Sequence, residues 1–141
     1  MSASTDQQAQ SKARPPNKQI VKVDMPEVGQ PFSWATRAGS VMFTSAGPVK
    51  PDGTIDIGPV EQQTRLTLQN LQKAVEAVGA EMQDVAQVLI YMVNVTDMKV
   101  IDSVYREFFS APYPNRSSMG VSGLVVPGML IEMVAYVALA P

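Results

Sequence analysis

The chain has 141 residues, of which 45% are hydrophobic and 17% charged, and its 13 acidic and 11 basic side chains give a net charge of −2. This length suits one globular domain, and the acidic balance argues against the dense basic face that nucleic-acid binding usually needs. Because histidine and cysteine are absent, the chain has no disulfide, Cys/His zinc site, thiolate nucleophile or imidazole base, which leaves acid–base chemistry to carboxylates, lysine, tyrosine or the substrate.

The first third of the chain predicts a polar arm followed by three strands. Residues 1–17 are rich in Ser, Gln, Lys and Pro, so we expect a disordered arm to about residue 18 and a single domain over residues 19–141. Apolar, β-branched and aromatic runs predict the strands, and the three prolines and three glycines of residues 47–59 predict a loop. The strands are expected at residues 20–25, 32–37 and 40–45.

Two helices, each with one apolar stripe, alternate with the remaining strands. Leucine and valine recur at helical spacing within residues 60–78, and Gly79 suits the position after the helix end. The second helix is expected to begin at Thr96 or Asp97, either of which can cap it, and to end at residue 109. The other strands are expected at residues 84–95, 117–123 and 129–138.

The order β-β-β-α-β-α-β-β predicts an α+β fold in which two helices cover one face of a mixed six-stranded sheet. The last predicted strand is apolar on both sides, with Ile131 and Met133 on one and Val134 and Tyr136 on the other. Because the helices can cover only one face, we expect the other face to meet further copies of the chain in an obligate oligomer.

The sequence also predicts a soluble, cytoplasmic protein. Residues 1–18 contain no apolar segment typical of a secretion signal. The longest nearly apolar stretch, residues 124–141, is interrupted by Pro127, Gly128 and Glu132, which makes it a poor membrane helix. We therefore expect neither a membrane nor a nucleic acid among the partners.

From Phe108 to the C-terminus the only charged side chains are Arg116 and Glu132. Burying a lone charge is costly, so each needs a partner, and two facing strands joined through residues 124–128 would bring the pair together. One interpretation is a buried salt bridge that fixes the strand register. The other is a binding site, in which Arg116 pairs with a substrate carboxylate and Glu132 holds a water or a donor.

Short segments spread in order along residues 28–141 carry a family resemblance. Near the C-terminus they read PNRSS at residues 114–118, LVVPG at 124–128 and LIEM at 130–133. The upstream segments lie at residues 30–33, 41–46, 62–80 and 104–109. Together they resemble the Rid family of YjgF-type reactive-intermediate deaminases, in the same order and with similar spacing.

The resemblance implies a chorismate-mutase-like subunit and a homotrimer with sites in the clefts between subunits. It also implies hydrolysis of reactive enamines or imines to ammonia and a ketone or keto acid, with no metal or organic cofactor. Arg116 would bind the substrate carboxylate, Glu132 would help place the attacking water, and backbone groups at Ser117 and Ser118 would complete the cleft. The absence of histidine is compatible with this chemistry, since an imine is activated by protonation on its own nitrogen.

Three further candidates for substrate binding are Phe32, Trp34 and Ser45. Phe32 stands where many family members have tyrosine, which keeps the ring and loses the hydroxyl. Trp34 would extend this aromatic wall or pack at a subunit contact, and Ser45 would line the cleft or be an ordinary strand serine. Two other departures are Ser118, in place of a frequent cysteine, and Asp102, which aligns with a frequent asparagine.

The sequence and the resemblance together suggest three candidate functions. The leading hypothesis is a trimeric deaminase of carboxylated enamines or imines, with an aminomuconate-type dicarboxylate as one candidate substrate. The alternative is a non-catalytic ligand-binding or holdase-like trimer that uses the same clefts; the lost hydroxyl at Phe32 favours it, and Arg116 and Glu132 oppose it. Ribonuclease activity, which has been attached to this family, is disfavoured by the acidic composition and the lack of histidine.

Overall fold

The computed structural model describes residues 14–141, so most of the predicted N-terminal arm lies outside the described residues. The predicted α+β class and element order are confirmed. Short 3-10 turns at Met82–Asp84 and Val95–Asp97 precede the fourth strand and the second helix. The elements are β1 (Gln19–Val21), β2 (Ala35–Ala38), β3 (Val41–Ala46), α1 (Val60–Ala77), β4 (Val85–Met92), α2 (Met98–Phe108), β5 (Asn115–Gly120) and β6 (Ile131–Ala138).

The six strands form one mixed sheet in the order β1-β2-β3-β6-β4-β5. Only β4 and β5 are parallel, and the last strand, β6, runs antiparallel between β3 and β4. The helices pack against one face of this sheet, where alternate strand residues are fully buried. This core includes Met42, Leu68, Leu71, Val75, Val88, Ile90, Ile101, Val104, Ile131, Met133, Ala135 and Val137.

The opposite face of the sheet, here called the open face, carries the side chains of the other parity. Within β6, Val134 and Tyr136 lie on this face and are only partly buried. The Tyr136 ring meets Phe43 of β3 edge to face, with ring centroids 5.6 Å apart. The predicted apolar character of both sides of the last strand is therefore confirmed.

The second strand is shorter than predicted and begins at Ala35, not at Phe32. Pairing with β1 and β3 starts at Ala35, so Phe32 and Ser33 precede the ladder and lie in irregular backbone. The Phe32 N–H instead donates to the Gln30 carbonyl at 2.8 Å. As a result, the Phe32 side chain does not follow the alternation of buried and exposed positions that a strand imposes, and it is half exposed.

One predicted helix end is confirmed and one predicted cap is wrong. After α1, Gly79 has φ +76°, and the N–H groups of Gly79 and Ala80 donate to the carbonyls of Glu76 and Val75, as in a Schellman motif. Before α2, Asp97 has helical backbone angles and makes no side-chain cap bond. The Val95–Asp97 turn runs directly into the helix, so no side chain is placed to cap it.

A buried amide on α1 holds two loops in place. Gln63 is fully buried, and its Nε2 donates to the carbonyls of Gly58, at 3.0 Å, and Gly128, at 2.9 Å. Its Oε1 accepts from the Leu130 N–H at 2.8 Å. The side chain thus joins the loop after β3 to the turn before β6.

A second buried amide lies two turns further along the same helix face. Asn70 donates from Nδ2 to the carbonyls of Gly47, at 3.0 Å, and Val49, at 2.9 Å. Both carbonyls belong to the loop after β3. A buried carbonyl without a hydrogen-bond donor costs free energy. The two amides therefore fix the positions of the loops relative to α1.

We expect Gln63→Ala to lower the free energy of unfolding by about 2–4 kcal/mol, because it removes three buried hydrogen bonds and leaves a cavity. Gln69→Ala on the exposed side of α1 is the matched control and should change it by less than about 0.5 kcal/mol. Urea unfolding at one fixed protein concentration measures both. A Gln63→Ala loss no larger than that of the control would contradict the structural role.

Candidate functional site

A cleft of about 500 Å³ opens where the segment before β2, the loop after β3 and the turn before β6 meet. Four of the predicted site residues line it: Phe32, Trp34, Ser45 and Glu132. We call this space the carboxylate cleft, after Glu132. The other lining side chains are mainly apolar and include Val49, Ile55, Val125, Val126 and Met129.

The aromatic wall of this cleft is a fixed pair of rings. Phe32 and Trp34 meet edge to face, with centroids 4.8 Å apart and planes at 83°. The Trp34 indole donates to the Pro26 carbonyl at 3.0 Å, and its own carbonyl accepts from the Thr44 hydroxyl at 2.8 Å. Both ends of Trp34 are therefore held, and Phe32 presents a preformed apolar surface to the cleft.

Glu132 is the acidic group of the cleft and lies on the open face, at the beginning of β6. Burial raises the pKa of its carboxyl above the ordinary value. Within residues 14–141, no lysine or arginine lines this cleft. A carboxyl with a raised pKa in an apolar cleft is suited to take up and release protons in acid–base chemistry.

Arg116 lies in a different cleft of about 240 Å³, between β5 and α2. Its Nη1 donates to Asp102 Oδ1 at 2.7 Å, and its guanidinium carbon lies 4.9 Å from the centre of the Tyr105 ring. Arg106 and Tyr113 also line this space, which we call the arginine cleft. Burial raises the pKa of Tyr105 to about 12, so the phenol stays neutral and the ring acts as a flat support for Arg116.

The structure does not bring Arg116 and Glu132 together, which corrects the expectation from the sequence. Their strands are not neighbours, because β4 lies between β5 and β6. Arg116 pairs with Val88 and Glu132 with Tyr91, two β4 residues that face opposite sides of the sheet. The two Cα atoms are thus roughly 14 Å apart, and the predicted salt bridge between them is wrong.

The last two predicted site residues line neither cleft. Ser117 and Ser118 are exposed in β5, at the edge of the sheet. Within residues 14–141, the backbone of β5 pairs only with β4. Its outer edge therefore offers N–H and C=O groups to a neighbouring chain or a ligand.

Asp102 and Tyr105, the partners of Arg116, were not among the predicted site residues. A signal for them exists in the sequence, because residues three apart share one side of a helix and any buried arginine needs an acceptor. The acceptor lies outside the last quarter of the chain, on the helix that precedes β5.

Comparisons with known proteins agree with this fold. A family model described as endoribonuclease L-PSP matches residues 12–139. A 2-iminobutanoate/2-iminopropanoate deaminase from Dermatophagoides farinae is 33% identical over 110 residues, which cover 76% of this chain and 86% of that protein. The mitochondrial protein mmf2 of Schizosaccharomyces pombe is 29% identical over 91 residues, covering 64% of this chain and 72% of its own.

A solved structure also resembles this chain in fold and sequence. The crystal structure of E. coli TdcF with bound serine matches with a TM-score of 0.79 and 29% identity. The match covers 86% of this chain and 99% of that one. The similarity in fold and sequence therefore extends over nearly the whole TdcF chain.

We expect Glu132→Gln to stabilise the protein near neutral pH and to have little effect in acid. Because burial raises the folded-state pKa of Glu132, the folded state loses stability as the pH rises through that pKa. Below the unfolded pKa, about 4.3, both states are protonated and this cost is absent. Thermal unfolding from about pH 4 to pH 8 measures the difference between wild type and variant.

Glu107→Gln is the control, and its effect on stability should depend on pH in the opposite direction. Glu107 accepts two hydrogen bonds from Arg65, and these lower its pKa. A lowered folded-state pKa gives stability above the unfolded pKa that is lost in acid. A Glu132→Gln protein less stable than wild type at neutral pH would contradict the assignment of Glu132 as a desolvated carboxyl.

Proposed function

The chain belongs to the Rid (YjgF, endoribonuclease L-PSP) family, and on that premise we propose that it hydrolyses carboxylated enamines or imines at a site shared by two copies of the chain. One observation carries this proposal: the carboxylate cleft contains Glu132 but no cation among the described residues, and Arg116 lies on the other face of the sheet. Neither cleft alone has both groups that the reaction needs. A second copy would supply the missing one.

The open face supports association of copies. Its exposed apolar side chains include Ile20, Val41, Phe43 and Met119, each more than a third exposed. A sheet face that exposes several large apolar side chains is typical of protein–protein interfaces. We propose the homotrimer that the family resemblance implies, with the carboxylate cleft of one subunit facing the β5 edge, and hence Arg116, of the next.

In the proposed reaction, the free N–H edge of Arg116 binds the substrate carboxylate and the Phe32–Trp34 wall contacts its carbon chain. An enamine is first protonated on carbon, which gives the iminium ion. Glu132 accepts a proton as water adds to the iminium carbon, and the same proton then converts the amino group into a leaving group. The C–N bond breaks as Glu132 takes up the remaining hydroxyl proton, which then passes to the departing ammonia, so that iminium plus water gives keto acid plus ammonium ion.

The remaining predicted residues would position the substrate. The Ser45 hydroxyl lies in the same cleft as Glu132 and would donate a hydrogen bond to substrate or water. The backbone at Ser117 and Ser118 would close the cleft from the neighbouring subunit. The aminomuconate-type substrate is a dicarboxylate, and the pairing of Arg116 with Asp102 disfavours it. The cytoplasmic location remains a prediction; one relative is described as mitochondrial.

The rival proposal is a non-catalytic trimer that binds small acids in the same clefts. The hydroxyl missing at Phe32 and the internal pairing of Arg116 with Asp102 favour it. The two proposals differ in a single observable, the release of ammonia above the uncatalysed rate. Ribonuclease activity remains disfavoured, because a net charge of −2 gives RNA phosphates little to bind.

Ammonia release from 2-iminobutanoate, generated in situ, tests the proposed activity. We expect wild type to accelerate it, and expect Arg116→Ala and Glu132→Gln each to lower kcat/KM by about 100-fold or more, since each removes a charge-assisted contact or the proton acceptor. Gln69→Ala, on the outer face of α1, is the control that should retain full activity. No acceleration by wild type would favour the binding trimer.

Mixing the two inactive variants tests whether the site is shared. Chains of Arg116→Ala and Glu132→Gln, unfolded together in equal amounts and refolded, should recover about one quarter of wild-type activity, since each interface then has that chance of carrying both intact groups. Each variant refolded alone is the control. No recovery from the mixture, when refolded wild type is active, would place both groups of a site in one chain.

A further inference from the structure

The arginine cleft has a charge balance that the proposed reaction does not explain. Three charged side chains line it: Asp102, Arg106 and Arg116. Arg106 is exposed at the rim, whereas Arg116 and Asp102 have only 29% and 28% of their side chains exposed and lie in contact. The inner part of the cleft is therefore an ion pair with no net charge.

The pairing also limits how Arg116 can bind an anion. One edge of the guanidinium is engaged through Nη1 by Asp102 Oδ1 at 2.7 Å, and one flat side is covered by the Tyr105 ring. One N–H edge and one flat side of this group are thus occupied within the chain. A ligand carboxylate has the remaining N–H edge, and there it stands within several ångströms of the Asp102 carboxylate.

We propose that Asp102 is a specificity-determining residue: by holding and neutralising Arg116, it makes the site accept singly charged substrates and discriminate against dicarboxylates. The proposal rests on the proposed function, because it assumes that Arg116 binds the substrate carboxylate. Asp102 fixes the guanidinium for one two-point contact, which favours a single carboxylate. Each additional negative charge on the ligand meets the repulsion of Asp102 without a further cation in the inner cleft.

The magnitude follows from Coulomb's law. Two charges about 6 Å apart at a partly exposed site interact strongly enough to change binding about 10-fold, within a range of about 3- to 100-fold. Removing the Asp102 charge while keeping its oxygen should therefore tighten the binding of a monocarboxylate about 10-fold. A dicarboxylate should gain more, because both of its charges are relieved.

Asp102→Asn is the informative variant, because the amide oxygen can still accept the Arg116 hydrogen bond. Glu107→Gln removes the same charge from the same helix, where Glu107 pairs with Arg65 and lines neither cleft. Calorimetry with 2-oxobutanoate and 2-oxoglutarate as probes gives Kd for one and two carboxylates. Circular dichroism and thermal unfolding establish that each variant is folded.

We expect Asp102→Asn to bind 2-oxobutanoate about 10-fold more tightly than wild type and to gain still more for 2-oxoglutarate, with Glu107→Gln unchanged within about twofold. If folded Asp102→Asn gains no more affinity for 2-oxoglutarate than for 2-oxobutanoate, or if Glu107→Gln gains as much as Asp102→Asn, the proposal is overturned.

Arg116→Ala separates this outcome from a failure of the proposed function. If Arg116→Ala abolishes binding while Asp102→Asn changes nothing, Arg116 is the anchor and only the role of Asp102 is lost. If Arg116→Ala binds both probes as wild type does, Arg116 is not the anchor and both proposals fail. If only Asp102→Asn binds measurably, the proposal is supported.

Discussion

The position of β6 between β3 and β4 determines where Glu132 lies relative to Arg116. Because β6 and β5 are separated by β4, Glu132 and Arg116 cannot face each other within one chain. The same placement gives β6 one side under the helices and one side on the open face. A central strand with apolar side chains on both sides is stabilised when both sides pack against other protein. Within the described chain only the helix side is packed in this way.

The carboxylate cleft is built from loops, yet its walls depend on a helix. Gln63 and Asn70 reach from α1 to backbone carbonyls of the loop after β3 and the turn before β6. The hydrogen bonds of both amides lie in the interior, where leaving a polar group unpaired costs the most free energy. This arrangement fixes the walls of an apolar, loop-lined cleft around the desolvated Glu132 carboxyl. Fixed walls of this kind suit the proposed imine substrate, which needs placement more than activation.

Local periodicity explains why much of the fold could be predicted and part of the site could not. The stripe of Leu68, Leu71 and Val75 and the two-sided β6 are properties of neighbouring residues, so their burial follows from sequence spacing. Strand order is a long-range property, so sequence spacing does not reveal that Arg116 pairs with Asp102 and lies away from Glu132. Phe32, Trp34, Ser45 and Glu132 do line one cleft, because the turns at residues 26–31 and 124–128 fold toward the same end of the sheet.

The proposed site takes Glu132 from one copy of the chain and Arg116 from another. A crystal structure of the assembled protein with 2-oxobutanoate tests it most directly. We expect a ligand whose carboxylate contacts Arg116 of one copy within about 3 Å, with the keto carbon facing Glu132 of a neighbouring copy beside the Phe32–Trp34 wall. A ligand bound within a single copy, or one that leaves Arg116 and Glu132 in separate clefts, would contradict it.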